Sequence, residues 1–224
     1  TWTPVQTTAG ELCAGSEETI YRALAMRHME LPVGSFIQDA LSEIPALSAD
    51  LLRSNVKDEE NHDLALGYIA NALGVDETAE AEAKRLRDAW EAHPDHTVLK
   101  ALVAERAIFF VLLPFFRFNG DAGLRTVSAD ISRDEQVHVA ANSLVCKELG
   151  LEISPSLDKL RKATINWVMS PLKASTNKYL DKKFWLDASD RLMYEGKAPE
   201  LSDTKRARMP AFFEHANPNL PQYA

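Results

Sequence analysis

The sequence predicts an all-α fold. Only 9 glycines occur in 224 residues, apolar side chains recur three and four residues apart along almost every segment, and no long segment alternates Val, Ile and Thr at the strand period. Helices are expected at about 16–31, 34–43, 46–73, 77–92, 96–118, 121–149, 156–169, 171–195 and 203–215. Pro32 and Pro45 place the first two stops, Gly74 after Ala72-Leu73 the third, and His93-Pro94 the fourth. Asn119-Gly120, Gly150 and Pro155 place the next ones. No repeat, low-complexity tract or Gly/Ser linker divides the chain. Residues 1–224 are therefore expected to form one domain, with a bundle over about 16–150 and accessory C-terminal helices and tail over about 151–224.

Composition removes several function classes. The chain carries 25 basic against 33 acidic side chains, a net charge of -8, and no Lys/Arg-rich run, so no phosphate backbone is attracted and nucleic acid is not an expected partner. The most apolar run, Ala107 to Phe118, is interrupted by Pro114 and Arg117 and falls short of the roughly 20 residues that cross a bilayer, so no membrane partner is expected. Cys13 and Cys146 lie far apart without a CxxC partner or signal peptide, which suits a reducing cytoplasm. The absent Met start and abrupt ends suggest a trimmed chain.

Chemistry concentrates on three helical stripes. In the segment 46–73, Glu59 and His62 stand at i and i+3, and their face continues through Leu66, Ile69 and Leu73. The segment 121–149 repeats this with Glu135 and His138, followed by Asn142, Val145 and Leu149. Between them, Glu105 shares a face with Ile108, Phe109, Leu112 and Phe116. An ionised carboxylate among aliphatic residues costs several kcal/mol unless a cation or partner compensates it. One Glu-x-x-His on a helix is common by chance; two, with a third carboxylate between them on an apolar stripe, ask for a common explanation, and metal ions supply one.

Ferritin-like four-helix bundles with dimetal carboxylate sites take a Glu from each of two helices and a Glu-x-x-His from each of the other two. The expected fold is such a bundle with accessory helices. The first Glu should precede residue 46. Glu30, 29 residues before Glu59 and on a face with Ala23 and Met26, is preferred; Glu18, 41 residues before, lies in a polar first turn where charge at a helix start explains it. The expected metal ligands are thus Glu30, Glu59, His62, Glu105, Glu135 and His138. His28, His93, His96 and His215 are read as surface or capping residues, Cys146 as a small core residue, and Trp90, Trp167 and Trp185 as packing.

Three segments carry a family resemblance. Ser132-Arg133-Asp134-Glu135-Gln136-Val137-His138, Ala104-Glu105-Arg106-Ala107-Ile108-Phe109-Phe110, and Glu59-Glu60-Asn61-His62 after Ile44-Pro45 resemble the small, radical-generating subunit of class I ribonucleotide reductase. The likeness covers about residues 30–150. The short spacing from Glu59 to Glu105 resembles a minimal form of the kind some phages encode, which would work in the host cytoplasm. The resemblance implies that Glu59 and Glu135 bridge two metals, with Glu30 and His62 completing one site and Glu105 and His138 the other. It also implies electron transfer through His62 and Asp134 to a Trp near the N-terminus, matched by Trp2 in Trp2-Thr3-Pro4, and onward to a tail tyrosine, matched by Tyr223.

One departure stands out. The family's radical tyrosine falls seven residues after the first motif's Glu, and Leu66 holds that position. Tyr68 lies about 180° around the helix from Glu59, facing away. Phe109, Leu113 and Ile131 keep the surrounding pocket apolar. Subclasses without the tyrosine hold the oxidising equivalent on the metals, so a manganese/iron pair is favoured, with di-iron or dimanganese as alternatives; ligand type alone does not select among these.

The expected function is therefore that of a ribonucleotide reductase small subunit, a homodimer that supplies an oxidising equivalent to a large catalytic subunit. The chain lacks a Gly-rich phosphate loop and paired cysteines, so it cannot reduce a nucleotide alone. The alternative is a stand-alone ferritin-like dimetal oxygenase or oxidase. An iron-storage bundle is disfavoured by the basic, aromatic region from Leu157 to Phe213.

Overall fold

The structure, a computed structural model, describes residues 11–44 and 46–201. Among these it is helical throughout, with one isolated parallel bridge, Lys173 to Asp181, and no strand. The helices are α1 (Glu17–Ala25), α2 (Glu30–Ala40), α3 (Ala46–Leu73), α4 (Glu77–Glu91), α5 (Thr97–Ala104), α6 (Phe110–Asn119), α7 (Ala122–Glu148), α8 (Pro155–Met169) and α9 (Lys182–Glu195).

Local chemistry sets most of these boundaries. Asp76, Asp121 and Asp181 cap α4, α7 and α9 by accepting backbone N–H bonds through their carboxylates. Ser154 caps α8, where Pro155 takes the first helical position, at which a missing N–H costs nothing. Ile44, ahead of Pro45, is extended (φ -108°, ψ 143°), as sterics before a proline require. Gly74 and Gly150 follow α3 and α7 at φ +89° and +63°, a left-handed conformation open to glycine.

Four expectations are corrected. The helix expected over 16–31 is α only to Ala25 and continues as a 3-10 turn, Met26–Met29. Pro32 does not break the chain: it is the third residue of α2, within the first turn, where N–H groups have no intrahelical acceptor to lose. The segment 96–118 is interrupted by a wide π-type turn, Glu105–Phe109. Its closure at Phe110 coincides with the carbonyl that Pro114, four residues on, cannot bond. Of 171–195 only α9 is α-helical, preceded by the 3-10 turn Lys178–Leu180. Asn177 bonds its side chain to the Tyr179 N–H, and Asp181 accepts from Ser175, turn chemistry that competes with a helix. The helix expected at 203–215 lies outside the described residues.

α2 packs on α3, α3 on α7, α7 on α5 and α6, and α5 back on α2, closing a ring of helices around a common interior. α1, α4, α8 and α9 pack around this ring. α3 and α7 run antiparallel, because residue 62 meets 134 while 58 meets 138. The flanking helices are seated by tryptophans: Trp90 is fully buried with its indole N–H on Thr164, and Trp185 is fully buried with its N–H on the Tyr179 carbonyl and Phe115 edge-on at 5.2 Å. No helix among the described residues is long and apolar enough to cross a membrane.

Candidate metal centre

The ring of helices delivers four carboxylates and two imidazoles to one point. Glu30 stands at the first residue of α2, Glu59 and His62 on α3, Glu105 at the start of the wide turn, and Glu135 and His138 on α7. None is more than 2% exposed. They form two overlapping groups whose ligand atoms lie within 4.8 Å of one another: Glu30, Glu59, His62 and Glu135, and Glu59, Glu105, Glu135 and His138. Glu59 and Glu135 belong to both.

Distances show how closely the groups interlock. His62 Nδ1 is 3.3 Å from Glu135, 3.6 Å from Glu59 and 3.8 Å from Glu30. His138 Nδ1 is 2.9 Å from Glu59 and 3.8 Å from both Glu105 and Glu135. The imidazole planes stack at 5.8 Å and 29°. Both oxygens of Glu30, Glu59 and Glu135, Oε1 of Glu105, and Nδ1 of both histidines are buried without a hydrogen-bond partner. So many orphaned donor atoms aimed at one point are what a cation would satisfy. Oxygen and imidazole donors without thiolate suit a hard or borderline divalent ion.

Electrostatics carry the same message. Burial raises the Glu30 and Glu105 carboxyls well above the usual range, and raises that of Glu135. Burial also pushes on Glu59, but the imidazoles of His138 and His62 outweigh it and hold the carboxyl at about 2. Burial opposes charge on the histidines too. The carboxylates outweigh it, raising His62 well above the ordinary value and His138 to about 10. The metal-free site therefore compensates itself by keeping protons where a divalent ion would supply charge.

Both imidazoles are held from behind. His62 Nε2 lies 3.2 Å from Asp134, and His138 Nε2 lies 3.2 Å from Asp58, so each Nε2–H donates to a carboxylate and each Nδ1 is left facing the site. The pairing is reciprocal, since each Asp precedes the Glu of the opposite helix. Asp134 was expected in this place and Asp58 was not. Its signal was available in Asp58-Glu59-Glu60-Asn61-His62, which repeats the Asp-Glu-x-x-His of Asp134 to His138. Asn142, noted only as a member of the stripe, donates its Nδ2–H to Glu105 Oε2 at 2.7 Å.

The surrounding residues sort cleanly. Leu66, Phe109, Leu113 and Ile131 are buried, and Tyr68 is 46% exposed. Glu18 sits on the surface, paired with Arg22, and not in the site. His28 meets Glu80, His93 meets Ser156, and His96 caps α5. Cys146 is buried, with its thiol pushed up to about 12 by burial and the Glu105 charge. Trp2, Tyr223 and His215 lie outside the described residues. No protein-family model, curated protein or solved structure matches the chain. Buried Glu and His groups positioned to hold a metal ion are thus established by this chain's own geometry.

Proposed function

We propose that the chain is the radical-generating small subunit of a class I ribonucleotide reductase, built on a ferritin-like bundle and holding two metal ions, with a manganese/iron pair favoured. The observation that supports it best is the join between the buried groups and the surface: His62, in the site, meets Asp134, whose side chain is 48% exposed, at 3.2 Å. A storage protein has no use for that link. When bound, a manganese/iron pair supplies one-electron oxidising chemistry with a reduced oxygen species. Glu30, Glu59, His62 and Glu135 would hold one ion, and Glu59, Glu105, Glu135 and His138 the other. Leu66, Phe109, Leu113 and Ile131 exclude water and offer no readily oxidised side chain. Asp134 fixes the His62 tautomer and gives the imidazole a polar contact with the outside, where Trp2 and Tyr223 would extend the path to a large catalytic subunit.

The chain would act as a homodimer. Large apolar side chains remain exposed on α3 (Leu64 and Tyr68, one turn apart) and on α7 (Val137 and Leu144, two turns apart), area that association would cover. Sedimentation giving a monomer at micromolar concentration would exclude this.

One feature favours the second reading, a stand-alone oxygenase for a small substrate. A cleft of about 250 Å³ between α2 and α3, lined by Leu31, Gly34, Ser35, Val56 and others, reaches Glu59. Loading the protein with manganese plus iron, iron alone or manganese alone, and assaying each with a large subunit while recording paramagnetic resonance, separates the readings. Deoxynucleotide formation without a tyrosyl signal, lost in Asp134→Ala with metals retained, supports the first. A tyrosyl signal with iron alone overturns metal-centred storage, and substrate oxidation without any large subunit favours the oxygenase.

A further inference from the structure

The two ligand groups look alike in composition but differ in one hydrogen bond. Each has a terminal Glu, a His, and the shared Glu59 and Glu135. Each His is held by an Asp at 3.2 Å. The terminal carboxylates are not equivalent. Glu105 Oε2 accepts from Asn142 Nδ2 at 2.7 Å, which leaves Oε1 turned towards His138 Nδ1 at 3.8 Å. Glu30 has both oxygens without a hydrogen-bond partner, and the nearest imidazole nitrogen, His62 Nδ1, is 3.8 Å away. Both carboxylates stand where the backbone changes its hydrogen-bonding pattern, Glu30 after the Met26–Met29 3-10 turn and Glu105 at the start of the wide turn, so the Asn142 bond is what distinguishes them.

We infer that Asn142 makes the two metal positions unequal: by holding Glu105 in its ligating orientation, it directs the first divalent ion to the Glu59/Glu105/Glu135/His138 group and leaves the Glu30/Glu59/His62/Glu135 group to fill second. This rests on the two-ion reading above. The reason is preorganisation. A ligand already fixed by an outer hydrogen bond gives up no rotamer freedom when the ion arrives, whereas Glu30 must be ordered by the ion itself. The donor is a neutral amide that cannot compete for the ion, and it lies four residues after His138 on the same face of α7, so one helix carries both a ligand of that group and the hold on the group's Glu105 from across the gap. Sequential filling gives the site a way to take two different metals, because the second ion meets ligands of different stiffness from the first.

The test is titration with manganese(II) alone, followed by calorimetry and by the paramagnetic resonance of the bound ion, on the metal-free protein and three variants. The unmodified protein is expected to bind two ions in resolved steps. Asn142→Leu should weaken the first step by about 10- to 100-fold, the usual effect of removing an outer-sphere partner, with little change in the second, so that the steps merge. Asn142→Ala, which also removes the donor, should act in the same direction and change the resonance of the first-bound ion. Glu30→Gln should keep the tight step and lose the weak one. Thermal unfolding of each metal-free variant checks that the fold persists. Loss of the tight step in Glu30→Gln, or both steps unchanged in the two Asn142 variants, overturns the inference. One ion only in the unmodified protein overturns the two-ion reading instead.

Discussion

Two buried charge clusters in this chain are resolved in opposite ways. Arg161 on α8 is fully buried, yet it donates to Asp158 at 2.7 Å and 2.9 Å, to Asp190 at 2.7 Å and to Ser189 at 2.7 Å, with Tyr194 beneath its guanidinium. Ser189 passes the chain of bonds to the Ala107 carbonyl in the wide turn. Protein groups satisfy that cation completely. The carboxylates of Glu30, Glu59 and Glu135 are met only by the two site imidazoles, at 2.9 to 3.8 Å, and none of their oxygens is in a formed hydrogen bond. A cluster that closes on itself is architecture, and one that leaves its atoms aimed at a common point is a receptor; the difference lies in satisfaction, not in burial or charge.

Substitution breaks this comparison most directly. Glu135→Ala should abolish binding of at least one ion. With free metal about a thousandfold above its dissociation constant, the loaded protein then loses about 4 kcal/mol of stability per ion, whereas the metal-free protein loses less. Unfolding curves with and without manganese(II) measure both. Arg161→Met should do the reverse. It removes the hydrogen bonds to Asp158, Ser189 and Asp190, while Asp158 keeps Tyr194 and Lys162 and Asp190 keeps solvent; it costs about 2 kcal/mol with or without metal, the scale of lost hydrogen bonds to a charged group, and leaves metal affinity unchanged.

Proton linkage sharpens the contrast. The groups raised in the folded metal-free protein, His62 and His138 as well as Glu30, Glu105 and Glu135, hold protons more tightly folded than unfolded. For His138 that stabilisation is complete below the ordinary value of 6.5 and is lost as pH rises towards about 10. Metal-free protein should therefore become less stable between those pH values. Metal-loaded protein should hold its stability over the same interval, since the ion displaces those protons and the unfolded imidazoles have already lost theirs. Melting temperatures of the two forms measured against pH should diverge as pH rises; parallel curves would refute the linkage.

The smallest effect belongs to Asn55, fully buried one turn before Glu59, with both amide atoms unpartnered. Asn55→Leu should raise metal-free stability by about 1 kcal/mol, because an unpaired buried amide is a liability that an apolar group of similar size removes. A loss of stability would show that the amide has a polar duty.

Legibility in the sequence followed periodicity. On α3 and α7 the helices are wet on one side, so Glu59, His62, Glu135 and His138 stood out against Leu66, Ile69 and Val145 on a dry stripe. α5 and α6 are buried on nearly every side, down to Lys100 and Arg117, and a helix buried all round carries no phase. The wide turn at Glu105 was invisible for that reason, although Glu105 itself was readable as a charge in an apolar run. Glu30 was readable, but its helix was not, because Pro32 reads as a stop unless the first turn is known to begin at Glu30. Asp58 drew no notice because its role exists only across the gap to His138.

The reciprocal Asp–His pairs have a consequence for how the chain finds its fold. A slip of α3 against α7 by one turn, about 5.4 Å, would leave both helices comfortably packed by apolar stripes alone. It would also carry Asp58 past His138 and Asp134 past His62, turning both imidazoles loose at once. Apolar packing tolerates neighbouring alignments; the crossed pairs accept one. Ion uptake would then act as proofreading of helix alignment, drawing slipped chains back to the single register in which both halves can close.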